Sequence, residues 1–208
     1  MKKILFQGDS ITDAARSKEN DFYLGSGYVN IVSGILGAKY PEKFSFINRG
    51  INGNKITNLY LRMEKDIINI SPDYLSILIG VNDVWHELEI NDGVSEEKFE
   101  KVYCQMLEEI LKALPNVKVF ILEPFILHGS ATNKEWVYFR KEVEKRACVA
   151  KKVAEKFNAI FIPLQKKFDD VQKICESEEY WLRDGVHPTA SGSYLISEEW
   201  IKFFEKEI

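Results

Sequence analysis

Apolar positions along the chain follow two alternating rhythms. Short runs with few breaks mark five strands: Ile4 to Phe6, Phe44 to Ile47, Tyr74 to Ile79, Val117 to Leu122 and Ala159 to Ile162. Between them the apolar residues recur at helical spacing. Phe99, Val102, Tyr103, Met106, Leu107, Ile110, Leu111 and Leu114 form one face of a helix from Glu96 to Leu114, which Pro115-Asn116 ends. Trp136, Phe139, Val143, Ala147, Ala150, Ala154 and Phe157 form a stripe on a longer helix from Lys134 to Phe157. Further helices are predicted from Tyr28 to Leu36, from Lys55 to Ile67, before Tyr180-Trp181, and from Ser191 to Phe204. The polar stretch 12–27 and the stretch from Gly80 to His86 are expected as loops.

Strands that alternate with helices over short connections predict an α/β protein. The expected architecture is a three-layer α/β/α, flavodoxin-like five-stranded parallel sheet in the order 2-1-3-4-5. No repeat or linker interrupts it, so residues 1–208 form one domain.

Composition narrows the function. A net charge of −4 argues against nucleic-acid binding, which needs a basic face. The run Ile4 to Phe6 stops at Gln7-Gly8-Asp9, too short for a signal core, and no run reaches membrane-spanning length. A cytoplasmic protein with no membrane partner is expected. Cys104, Cys148 and Cys175 suggest neither a disulfide framework nor a metal knuckle, and Cys104 and Cys148 are expected to be buried thiols. No two histidines have ligand spacing, so no metal is expected.

Three stretches then fall on the carboxyl edge of the sheet, where ligands bind in such folds. Ser10 follows the first strand, Gly50 and Gly53 follow the second, and Asn82 follows the third. Asp9 and Ser10 also suit a plain helix cap, so the tripeptide Gly8-Asp9-Ser10 means little by itself. A serine nucleophile needs a base, and the base needs an acceptor to fix its tautomer. Of three histidines, only His187 lies in an Asp-x-x-His arrangement, with Asp184. The Ser10 and Gly53 amides and the Asn82 side chain can serve a developing oxyanion.

With these motifs in place, the sequence resembles the SGNH branch of the GDSL-type hydrolases. Gly8-Asp9-Ser10 matches the nucleophile block and Asn48-Arg49-Gly50-Ile51-Asn52-Gly53 the glycine block. Gly80-Val81-Asn82-Asp83 matches the asparagine block, and Asp184-Gly185-Val186-His187-Pro188 the acid–base block. Ile11 stands where the signature has leucine, a conservative apolar swap. The resemblance implies ester hydrolysis without a cofactor, with Ser10 as nucleophile, His187 as base, Asp184 as orienting acid, and Ser10, Gly53 and Asn82 as oxyanion donors. Gly25 to Val29 and Ile79 to Trp85 extend it to intracellular carbohydrate acetyl esterases, particularly deacetylases of xylo-oligosaccharides. An acetylated sugar is then the expected small-molecule partner. Lysophospholipases, thioesterases and lipid acetylhydrolases share the fold and stand as alternatives, with a non-catalytic carbohydrate-binding domain more remote. Proteins of this kind often form homo-oligomers, and no interface pattern stands out in the sequence.

Trp85, His86 and Tyr23 are candidate substrate-binding residues, Trp85 also fitting an ordinary core aromatic. Tyr23 and Phe22, in the loop after the nucleophile, are the weaker pocket candidates. Asp9, Asp13 and Asp83 read as structural caps, and Lys141 to Lys156 as a solvated helix face. Other chemistries lack their signatures. Gly25-Ser26-Gly27 has Asn30 where a dinucleotide fingerprint needs glycine, Gly50 to Lys55 lacks Walker spacing, Gly-x-Ser-x-Gly is absent, and nothing selects a glycosidase carboxylate pair.

Overall fold

The five apolar runs are the strands of one all-parallel sheet in the computed structural model, which describes residues 1–208. They are β1 (Lys2–Gly8), β2 (Phe44–Asn48), β3 (Tyr74–Leu78), β4 (Lys118–Leu122) and β5 (Ile160–Ile162), in the order β2-β1-β3-β4-β5. Both faces of the sheet are covered, which is why its runs are apolar with little alternation. Ile4, Phe6, Phe120 and Leu122 pack into a core shared with α2 (Tyr28–Lys39) and α8 (Ala190–Phe204). Leu5, Leu75, Ile77 and Ile121 point the other way, into a core with α3 (Ile56–Met63), α5 (Glu96–Ala113) and α6 (Trp136–Lys156). Trp200 on α8 is fully buried and donates its indole N–H to Ser76 Oγ at 2.9 Å.

The register places the site. β1 pairs with β2 on one side and β3 on the other, Phe6 lying level with both Asn48 and Ser76. The loops after these three strands therefore leave the sheet side by side. Short α1 (Ser10–Asp13) starts there, and α7 (Gln165–Gln172) lies beyond β5.

Four expectations change. Residues from Asn82 to Ile90 form a helix, α4, rather than a loop. Its apolar residues are too few for a helical stripe, so the helix depends on packing against α6 and a left-handed cap at Asn91. The helix predicted from Lys55 to Ile67 is α-helical only to Met63 and continues as a π turn, Glu64–Ile68, with Asp66 and Ile67 buried. In α6 the basic stretch is mostly solvated, but Arg146 is fully buried. Cys148 is exposed and Cys104 only partly covered. Cys148 sits about 100° round the helix from buried Ala147 and so leaves the core stripe. No helix is long and apolar enough to cross a membrane.

Candidate active site

β1 delivers Asp9 and Ser10 to the sheet edge. Asp9 caps α1, accepting from the Ile11 amide at 3.0 Å. Burial pushes its carboxyl up to about 6 against the opposing pull of that amide and of His187. Ser10 is the first residue of α1, so its side chain leaves the edge while Ile11 and Thr12 anchor the turn in the core. The helix stops after one turn because Ala14 and Ala15 adopt left-handed conformations, with φ of 40° and 62°. Such backbone costs a non-glycine residue about 1–2 kcal/mol, and it folds the chain back beneath Ser10.

The loop after β2 is tied to this turn. Asn48 Nδ2 donates to Thr12 O at 2.7 Å and Leu24 O at 2.8 Å, and its Oδ1 accepts from the Gly50 amide at 2.9 Å. A Cβ on Gly50 would lie 2.3 Å from Asp13 N, so no side chain fits. Asp13 accepts from the Asn52 amide at 3.2 Å, and Arg16 Nε donates to Gly50 O at 2.8 Å. Arg62 reaches from α3 to Gly8 O, Arg49 O and Asn54 Oδ1, closing the loop against the end of β1. Gly53 holds φ +73°, a left-handed conformation that aims its amide off the loop. The Ser10 and Gly53 amides donate to no other protein group.

Asn82 opens α4 and is held by donating to Asn54 O at 3.1 Å, which leaves its second amide hydrogen free. Its neighbour Asp83 is fully buried and accepts from Ile56 N at 3.1 Å, joining the asparagine segment to α3. Burial pushes the Asp83 carboxyl up to about 7, with the Ile56 amide and Arg146 opposing.

The last component is the loop before α8. Asp184 Oδ1 accepts from the amides of Val186 at 2.9 Å and His187 at 2.7 Å, while Oδ2 accepts from His187 Nδ1 at 2.6 Å. Partial burial raises the Asp184 carboxyl, but its hydrogen bonds from His187 and Val186 win and hold it at about 2. With Nδ1–H committed to Asp184, His187 Nε2 carries the lone pair, and it lies 2.9 Å from Ser10 Oγ. The connection after β4 braces this loop: Leu127 N donates to Gly185 O and Ala131 N to Asp184 O, both at 2.9 Å.

Ser10, Gly53, Asn82, Trp85, His86 and His187 all line one cleft of about 730 Å³, with Asp184 behind the imidazole. Trp85 faces both the core and the cleft. Its ring lies 6.2 Å from Phe139 in the core and 5.8 Å from His187 in the cleft. His86, on the α4 helix, flanks Gly53. Tyr23 is not in the cleft, which corrects its expected place. Hydrogen bonds from Tyr23 N to Asn20 O and from Ser17 N to Tyr23 O close its loop on itself, leaving Tyr23 exposed against Phe22. Arg62, Arg16 and Arg183 also shape or line the site; Arg183 adjoins the Asp184 block, whereas no motif marks Arg62 or Arg16. No three His, Cys, Asp or Glu side chains gather to hold a metal ion.

A hydroxyl, an imidazole and a carboxylate thus stand in line beside two free amides and a free carboxamide hydrogen, the arrangement required for acyl transfer. Comparison with known proteins agrees. The model of the GDSL-like lipase/acylhydrolase family matches residues 6–195. An acetylxylan esterase from Geobacillus stearothermophilus is 35% identical over 213 residues, covering 97% of this chain and 93% of that protein. A crystal structure of an acetylxylan esterase from that organism matches with a TM-score of 0.86 and 32% identity, over 97% of this chain and 93% of the other. A protein from Parabacteroides merdae described as a GDSL-like lipase matches with a TM-score of 0.91 and 36% identity, over 98% and 95% of the two chains. Catalytic mutants of the Geobacillus enzyme replace a serine, an aspartate and a histidine, the aspartate three residues before the histidine. A tryptophan replaced in another variant immediately precedes that aspartate.

Proposed function

The chain belongs to the GDSL-like lipase/acylhydrolase family and is a carboxylic ester hydrolase, and on that premise we propose that it removes acetyl groups from small carbohydrate esters through Ser10, His187 and Asp184. The observation that carries this reading is the continuous hydrogen-bond line from Ser10 Oγ through the His187 ring to Asp184, at 2.9 and 2.6 Å. Ser10 Oγ attacks the acetyl carbonyl as His187 Nε2 takes its proton, and Asp184 stabilises the imidazolium. The carbonyl oxygen becomes an oxyanion that receives the Ser10 and Gly53 amides and the free Asn82 hydrogen. Each such donor typically contributes about 3–4 kcal/mol to the transition state. His187 returns the proton to the departing sugar hydroxyl, and water then releases acetate by the reverse sequence.

Two features support a sugar ester over a lipid. Most of the residues that line the cleft are polar, and the half-buried Trp85 ring offers a face for a sugar ring. The acetylxylan esterase relatives act on esters of this class. Acetate release from acetylated xylo-oligosaccharides, compared with turnover of short acyl thioesters and lysolipids, tests the proposal. Preferred release from the sugars, lost in Ser10→Ala, is expected. Preference for thioesters or lysolipids overturns the substrate class, and turnover that survives Ser10→Ala overturns the mechanism.

A further inference from the structure

The chain has six arginines, and five of them are engaged. Arg16 donates to Gly50 O, and Arg49, Arg62, Arg140 and Arg146 pair with Asp21, Asp66, Asp169 and Glu142. Arg183 alone has neither an ion pair nor a side-chain hydrogen bond, and it lines the cleft that holds Ser10 and His187. Its backbone is firmly placed. Arg183 N donates to His187 O at 3.0 Å, within a loop closed by the bridge between Leu182 and Pro188. The exposed Arg183 side chain therefore springs from backbone fixed against His187. The one other formally charged side chain lining the cleft is Glu89, which comes from α4 and is likewise unpaired.

We infer that Arg183 selects the substrate by receiving a carboxylate on the sugar, so that the preferred esters are acetylated saccharides bearing a uronic acid. This rests on the carbohydrate acetyl esterase reading above and narrows its substrate class. A guanidinium is a planar fork of donors that matches a carboxylate in two parallel hydrogen bonds. The acetyl-xylooligosaccharide esterase from Geobacillus stearothermophilus has tryptophan immediately before its aspartate, a flat face without charge. Here the same place relative to Asp184 offers charge instead. Glu89 adds a negative charge to the same cleft and so works against carboxylate binding, which Arg183 must outweigh.

The test uses two acetylated xylo-oligosaccharides of equal length, one carrying a glucuronic acid beside the acetylated unit. The readout is the ratio of their KM values for acetate release at low salt. Wild type is expected to favour the acidic ester about fivefold, the scale of a solvent-accessible charge pair. Arg183→Gln should bring the ratio to about one, Arg183→Lys should restore part of it, and Glu89→Gln should raise it. Raising the salt concentration should shrink the wild-type ratio without any substitution. Equal KM values in wild type, or a ratio indifferent to both salt and Arg183→Gln, overturn this inference and leave the esterase reading intact. Acetate release from neither sugar, with a simple aryl acetate still cleaved, overturns both.

Discussion

The two halves of the cleft are built differently. On the side of Ser10, Gly53 and Asn82, the segments around two free amides and one free carboxamide hydrogen are tied to other elements. Asn48 and Arg62 each make three or more hydrogen bonds there, and Asp83 is fully buried. On the side of Trp85, His86, Glu89 and Arg183, the side chains are half-buried or exposed, and the two charged ones have no protein partner. In the mechanism proposed above the first half holds the atoms that react, where small displacements are costly. In the second, Glu89 and Arg183 have no partner to lose on substitution, so the proposed reaction and selectivity can be probed separately there.

Substitutions ranked by effect probe that division. Asp184→Asn retains the shape of the side chain but no longer fixes the imidazole tautomer, and kcat should fall about 10³–10⁴-fold on an aryl acetate. A loss below tenfold would remove Asp184 from the mechanism. Asn82→Ala withdraws one oxyanion donor and should lower kcat about 10²–10³-fold with little change in KM. A change confined to KM would place Asn82 in the acceptor half instead. Trp85→Ala should raise KM for an acetylated sugar about tenfold, equivalent to ~1.4 kcal/mol of lost contact. Tyr23→Ala, outside the cleft, should stay within about twofold of wild type, and a matching loss there would redraw the boundary of the site.

The smallest effect concerns stability. The Asp83 carboxyl, pushed up to about 7 from an ordinary 3.8, binds its proton more tightly in the folded chain than in the unfolded one. Its contribution to folding is therefore greatest below pH 4 and declines as pH rises towards 7. Asp83→Asn keeps an acceptor for the Ile56 amide and cannot ionise. Its urea midpoint relative to wild type should rise between pH 4.5 and 7.5, and parallel profiles would show that Asp83 does not titrate in this range.

The sequence by itself determined the sheet, its order and the four segments that meet at its carboxyl edge. Those features rest on local patterning: apolar runs such as Tyr74 to Leu78 sandwiched on both faces, and spacings such as Asp184 to His187. Only the tertiary structure decided that residues 82–90 form a helix, that Tyr23 faces solvent, that Arg146 is buried and that Arg183 lines the cleft. These depend on contacts between segments far apart in the chain, α4 against α6 or Arg62 against the end of β1. A one-dimensional pattern records which residues can be buried, but the partners that bury or free them are set when the layers pack.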